Sequence, residues 1–249
     1  LISSAASDVY KRQPLKILVI RFSSIGDIVL TTPVVRCLKK QLNAEVHFLT
    51  KQGFFCLLEN NPYVHQLHAI EDGLENLKLL GFDWVIDLQH NLRTFKVKRA
   101  LGVPSKSFHK LNIEKWLLTT FKINRLPNKH IVERYLDTVA HLKVVNDNLG
   151  LDYFLEENES LPNGLELPEK YVALVIGGQH ATKILPTDRL QKICRKVNLP
   201  IVLVGGPEDK LRGEEIAQNQ TGVVNTCGEL SINQSAYLIQ QAHQVITHD

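Results

Sequence analysis

Asp27 is the first residue of the 249-residue chain with both the type and the setting for chemistry. It closes a short turn, Ser23-Ser24-Ile25-Gly26-Asp27. Before the turn stand Ile17, Leu18, Val19 and Ile20; after it, apolar residues resume with helical spacing at Ile28, Val29 and Leu30. A carboxylate in that place can serve as a general base, or can do no more than complement the positive end of a helix. Spacing alone leaves both readings standing. A second stretch, Gly177-Gly178-Gln179-His180-Ala181-Thr182-Lys183, follows the apolar run YVALVI and leads into Pro186 and a helical segment. Backbone amides, a hydroxyl and a lysine ahead of a helix suit a diphosphate, although an exposed loop lysine is the plainer alternative for Lys183. A third, Gly205-Gly206-Pro207-Glu208-Asp209, follows PIVLV. Its glycine pair lets backbone approach a ligand closely, while Glu208 and Asp209 equally suit the start of a helix. Asp87-Leu88-Gln89-His90-Asn91 ends the run WVIDL. Gln89, His90 and Asn91 can hydrogen-bond a sugar, and Asp87 is either a ligand group or a turn-capping carboxylate. Neither GxGxxG nor a Walker A loop is met, which makes a nicotinamide oxidoreductase a distant reading.

The elements that must position these groups alternate. Strands are expected at 17–20, 45–51, 64–70 and 84–88, with helices to about 41, at 54–59 and at 74–80. Pro33 kinks or restarts the first helix. A helix at 131–142 carries Tyr135 on its apolar side. A second series follows: strands at 171–176, 200–204, 223–225 and 245–249, and helices at 187–197, up to about 218, and 232–242. Strands alternating with helices imply parallel, doubly wound sheets, whose ligands sit beyond the carboxyl ends of the strands. Acidic, Asn/Gly/Pro-containing sequence over 147–169 reads as a linker between a first domain, 14–146, and a second, 170–249. The chain begins with Leu and contains no Met, so 1–13 reads as a non-native or misassembled leader.

With 44% hydrophobic and 22% charged residues, the composition is that of an ordinary globular protein. No apolar run approaches the roughly 18 residues of a membrane span. Cys37, Cys56, Cys194 and Cys227 lie far apart without CxxC pairs or zinc-type Cys/His spacing, so they read as buried thiols in a reducing cytoplasm, with no metal implied. Charge is lopsided: over 93–134 eleven Lys and Arg face only Glu114 and Glu133, a formal +9 against +3 for the whole chain. Within it, IEKWLLTTFKI sets Trp116, Leu117 and Phe121 among lysines. That composition suits an anionic glycolipid or membrane surface, a solvated basic face being the bland reading. Nucleic acid is disfavoured, since no nucleic-acid-binding motif accompanies the charge.

The stretch R-F-S-S-I-G-D-I-V-L-T-T-P, from Arg21 to Pro33, resembles the N-terminal signature of glycosyltransferase family 9, the ADP-heptose:lipopolysaccharide heptosyltransferases. The resemblance extends over roughly 15–249. It implies the GT-B class: α/β, with two Rossmann-like doubly wound domains facing a cleft. It also implies an inverting, metal-independent transfer of a heptose or related sugar from an ADP-sugar to a lipopolysaccharide-core acceptor. Asp27 would be the catalytic base, with Ser24, Gly26, Asp87, Gln89 and Arg134 on the acceptor side. Gly177, Gly178, Thr182 and Lys183 would hold the donor phosphates, Gly205 and Glu208 the nucleotide, and Thr247, His248 and Asp249 the donor sugar. The family's K-R-W-P is Lys183-Ile184-Leu185-Pro186 here, and its T-H-D-T-G-x-x-H is met only through Asp249, so the second domain is expected to be incomplete. No cofactor is implied beyond the ADP-sugar substrate. The partners would be that donor, an anionic glycolipid acceptor and an anionic membrane surface met through 93–134, at the cytoplasmic face of the inner membrane. Another nucleotide-sugar transferase of this fold, or a non-catalytic nucleotide-sugar or glycolipid binder, are the alternatives.

Overall fold

A computed structural model describes residues 13–178 and 183–248. In the first half β1 (Lys16–Ile20) is followed by α1 (Ile25–Val29), α2 (Thr32–Leu42), β2 (Glu45–Thr50), β3 (Gln66–Ala69), α3 (Glu75–Leu79) and β4 (Trp84–Asp87). Then come α4 (Leu92–Leu101), β5 (Ser105–Ser107), α5 (Asn112–Phe121) and α6 (Ile131–Leu136). The second half holds β6 (Val172–Val175), α7 (Thr187–Lys196), β7 (Ile201–Val204), α8 (Lys210–Ala217), β8 (Val223–Asn225), α9 (Ile232–Gln241) and β9 (Gln244–Ile246). The chain divides into two compact units, with the break between Phe154 and Leu155.

The first unit carries a parallel sheet of order β3-β2-β1-β4-β5, with Ile20 opposite Leu49 on one side and Asp87 on the other. Its faces follow the period of two of a pleated strand. Leu18, Ile20, Leu49 and Val85 meet Leu77 and Val97 from α3 and α4. On the opposite parity Ile17, Val19, Val46 and Phe48 are fully buried, as are Val34, Val35 and Leu38 of α2. The second sheet, order β8-β7-β6-β9, is also parallel. Val172, Leu174, Ile201 and Leu203 pack with Leu190, Cys194 and Ile216, while Tyr171, Ala173, Val202 and Val204 pack with Leu238. Both faces of each sheet are covered, as all-parallel sheets require.

Pro33 follows the second of its two expected readings: it lies in the first turn of α2, where the missing N–H costs nothing, and restarts the helix. Several elements depart from the sequence expectations. The short helix expected at 54–59 is a 3₁₀ helix, Gln52–Leu57. β5 was not foreseen: three polar residues pairing with β4 at the sheet edge carry no apolar alternation. The expected helix at 131–142 stops at Leu136 and ends in a separate 3₁₀ turn, Ala140–Leu142. The stretch read as linker is occupied at both ends. Arg36 of α2 bonds Asp147 at 2.7 Å, the Gly150 carbonyl at 2.9 Å and Asp152, while Leu161 and Leu167 pack onto the second core. Among the described residues no helix is long and apolar enough to cross a membrane.

Candidate active site

Strand order reverses between β1 and β4 in the first sheet and between β6 and β9 in the second. A crevice opens at the carboxyl ends of such strands, because the chain leaves toward opposite sides. The turn after β1 carries Ser24, Gly26 and Asp27. Asp27 sits in the first turn of α1, and its Oδ2 accepts from the Ser24 hydroxyl at 3.3 Å and pairs with the Arg21 guanidinium. Its contacts among the described residues fall on that one oxygen, and the side chain is 40% exposed. Asp27 thus has both the helix-end setting and a carboxylate edge open to solvent.

Arg21 was read only as the end of a strand, yet it organises the turn. Buried just beyond β1, it donates through Nε to the Ser23 carbonyl at 2.8 Å. Its Nη1 donates to the Leu88 carbonyl at 2.7 Å and to the Tyr135 hydroxyl at 3.2 Å, and Nη2 holds Asp27. Burial pushes the Tyr135 phenol pKa up, so the hydroxyl stays protonated and neutral. The only signal in the sequence was an arginine at the carboxyl end of an apolar strand. The pairing with α6 spans 114 positions and has no local signature.

After β4, Gln89 and Asp87 have different surroundings. Gln89 Oε1 accepts from the Phe22 backbone at 3.1 Å, tying the β4 turn to the β1 turn. Asp87 is fully buried. Its Oδ1 takes the Gln89 and His90 amides at 3.1 and 2.7 Å, and its Oδ2 the Lys98 ammonium at 2.8 Å. A buried carboxylate so fully partnered organises the turn. Arg134 donates to the His109 carbonyl at 2.8 Å, stacks on Phe108 and lines a pocket of about 300 Å³ with Lys106, His109 and Lys129.

In the second unit Gly177 and Gly178 follow β6, Gly205 follows β7, and Thr247 and His248 follow β9, three adjacent strands. A Cβ on Gly177 would come within 2.7 Å of Asp209 Oδ2, and one on Gly205 within 2.8 Å of Asp209 Cβ, so both glycines are required by close packing around that carboxylate. Asp209 is buried and accepts from the Gly206 amide at 3.1 Å. Glu208 beside it is exposed, which separates two acidic residues that the sequence left equivalent. Lys183 is exposed. His248 has both ring nitrogens buried with no partner among the described residues, a cost that a bound polar group would remove. Thr182 and Asp249 lie outside the described residues.

Away from these turns, Glu45, His47 and His65 bring ligating atoms within 4.8 Å of one another. Cys/His spacing carries no sign of this cluster; its signal is Glu and His two apart on one strand face, with a histidine just before the next strand.

Two doubly wound parallel units, each with polar turns at its switch point, are the parts of a GT-B fold. Residues 74–249 match glycosyltransferase family 9 (heptosyltransferase), and the chain belongs to that family. A lipopolysaccharide heptosyltransferase 1 of Campylobacter coli is 24% identical over 207 residues, covering 74% of this chain; the chain spans 60% of that relative's length. Among solved structures, a family 9 glycosyl transferase from Veillonella parvula superposes with a TM-score of 0.74 at 19% identity, covering 94% of this chain and 75% of that one. E. coli ADP-heptose lipopolysaccharide heptosyltransferase II gives 0.70 at 20% identity, covering 94% and 79%. E. coli heptosyltransferase WaaC, solved with ADP, gives 0.70 at 17% identity, covering 94% and 81%.

Proposed function

We propose that this chain transfers a heptose or related sugar from an ADP-sugar to a lipopolysaccharide-core acceptor, with inversion and without a metal. Asp27 takes the proton of an acceptor hydroxyl as that oxygen attacks the anomeric carbon. The bond to the diphosphate oxygen breaks on the opposite face, inverting the configuration. Lys183, with Thr182 and the amides of the Gly177-Gly178 turn, meets the charge that develops on the departing ADP. Gly205 and Glu208 hold the nucleotide, and Thr247, His248 and Asp249 the donor sugar. Ser24, Gly26, Gln89 and Arg134 orient the acceptor, with Asp87 acting through the Gln89 turn. The observation carrying this reading is the Asp27 carboxylate at the β1–β4 switch point, fixed on one oxygen and exposed on the other side. An anionic acceptor fits the basic stretch 93–134, and contact with the cytoplasmic face of the inner membrane through α5 belongs to the same reading.

The test is a pair of variants read by calorimetry and by sugar transfer. Asp27→Asn should lower kcat by about 10²–10⁴-fold, the usual worth of a general base, with ADP affinity unchanged. Lys183→Ala should weaken ADP while leaving the fold intact. Full transfer by Asp27→Asn, or selective binding of UDP-sugars over ADP-heptose, would overturn the proposal.

A further inference from the structure

Glu45 opens β2 and His47 follows two residues later on the same face, while His65 immediately precedes β3. In a parallel sheet these are amino-terminal ends, so the cluster lies at the edge opposite the turn carrying Asp27. His47 Nε2 stands 3.0 Å from Glu45 Oε1, and His65 Nε2 stands 3.6 Å from the same oxygen. Ligand atoms around a tetrahedral zinc ion are about 3.3 Å apart, given metal–ligand bonds of roughly 2.0–2.1 Å. The spacing therefore accommodates an ion with small side-chain adjustment.

The surroundings of His47 fix its orientation. It is 1% exposed, and its Nδ1 lies 2.8 Å from His68 Nε2. The Phe82 ring stands edge-on to it at 5.1 Å. As the structure stands, Nε2–H donates to the Glu45 carboxylate and Nδ1 accepts from His68 Nε2; an ion on Nε2 would take that proton's place, with the proton then on Nδ1 and donated to His68. Such an outer hydrogen bond is what orients ligating histidines and makes them better donors. His65 is 53% exposed and Glu45 21% exposed, leaving an entry path and room for solvent as a further ligand. Lys16 opposes an ion there: its Nζ lies 3.5 Å from Glu45 Oε1 on a flexible, partly exposed stem.

We propose that Glu45, His47 and His65 bind a divalent transition-metal ion of the zinc class at the amino-terminal edge of the first sheet, where it would clamp β2 to the start of β3. Two imidazoles and one carboxylate select such an ion over magnesium, which takes oxygen ligands. This site is separate from the sugar-transfer reading and stands or falls without it.

The experiment is a titration of chelator-stripped protein with zinc chloride in competition with a chromophoric chelator. The site predicts one equivalent of zinc per chain, undiminished by excess magnesium. His65→Ala and Glu45→Gln should each weaken that equivalent tenfold or more, and Lys16→Gln should tighten it severalfold by removing the competing ammonium. His65 is exposed, so its variant should fold; zinc should raise the melting temperature of the parent but not of His65→Ala. Failure to bind one equivalent overturns the proposal. So does zinc binding that persists unchanged in His65→Ala, including binding that is lost instead in Cys56→Ser.

Discussion

Asp27 and Asp87 both end buried strands of one sheet, and a sequence gives them the same standing. Their surroundings separate them. Asp87 has no exposed surface and spends both oxygens on two amides and Lys98, whereas Asp27 spends one oxygen on Arg21 and Ser24. Asp87→Asn should therefore cost about 3 kcal/mol in urea unfolding, because it removes the charge partner of the half-buried Lys98 and puts a side-chain NH₂ where a fully buried oxygen accepts. Asp27→Asn should cost less, about 1 kcal/mol, because the Asp27 side chain is 40% exposed and Arg21 keeps the Ser23 and Leu88 carbonyls and the Tyr135 hydroxyl. Equal losses in the two variants would contradict the assignment of one carboxylate to the fold and the other to chemistry. Arg21 belongs to the same argument as a positioning residue. Its fork holds Asp27, a carbonyl and a phenol at once, a geometry that a lysine cannot reproduce. Arg21→Lys should lower kcat about 10- to 100-fold with ADP affinity unchanged, the effect of a misplaced base. A parent-like kcat in that variant would remove Arg21 from the mechanism. The catalytic candidate was legible because a turn after a β-branched run has a local signature. Arg21–Tyr135 and Lys98–Asp87 were not, because contacts between distant strands and helices leave no period to read.

At the scale of elements, the apolar strands were legible for the same reason that they fold: Ile17 to Ile20 and Val172 to Leu174 are buried on both faces. Elements lacking an apolar stripe, such as β5, were missed. α5 falls within the basic stretch whose composition suits an anionic surface, and none of its residues is buried. Ile113, Trp116 and Phe121 are 72%, 54% and 56% exposed, with Trp116 and Phe121 packed edge to face at 5.1 Å. Aromatic residues among lysines on such a helix suit the headgroup region of an anionic bilayer. Replacing Trp116 and Phe121 together by Ala should leave the melting temperature within about 2 °C of the parent, since little burial is lost. It should abolish sedimentation with phosphatidylglycerol vesicles if α5 is the contact. Undiminished sedimentation of the double variant would exclude α5 as the membrane-facing element.

At the scale of the molecule, a composition shift gave away two units but not where the first one ends. The acidic stretch after 146 reads as solvent-exposed linker because Asp and Asn usually are. Here the carboxylates of Asp147 and Asp152 instead close on Arg36, whose side chain is 2% exposed on α2. The Arg36 guanidinium, chiefly by hydrogen bonding, holds the Asp147 carboxyl down at about 2 from its usual 3.8. The folded first unit therefore binds a proton at Asp147 less readily than the unfolded chain does. Its contribution is complete above pH 3.8, falls between there and about pH 2, and is gone below. The shift corresponds to about 2 kcal/mol, an upper figure because the Asp147 side chain is 20% exposed. Arg36→Met removes the anchor at every pH and leaves two carboxylates facing an apolar side chain, so it should cost about 3–5 kcal/mol at pH 7. Between pH 4 and 2 its stability should fall less steeply than the parent's, since Asp147 then titrates alike in folded and unfolded chains. Urea unfolding of both proteins across that range, followed by the fluorescence of Trp84 in β4, measures this directly. Parallel pH profiles would show that 147–152 is held to the first unit by something other than this ion cluster.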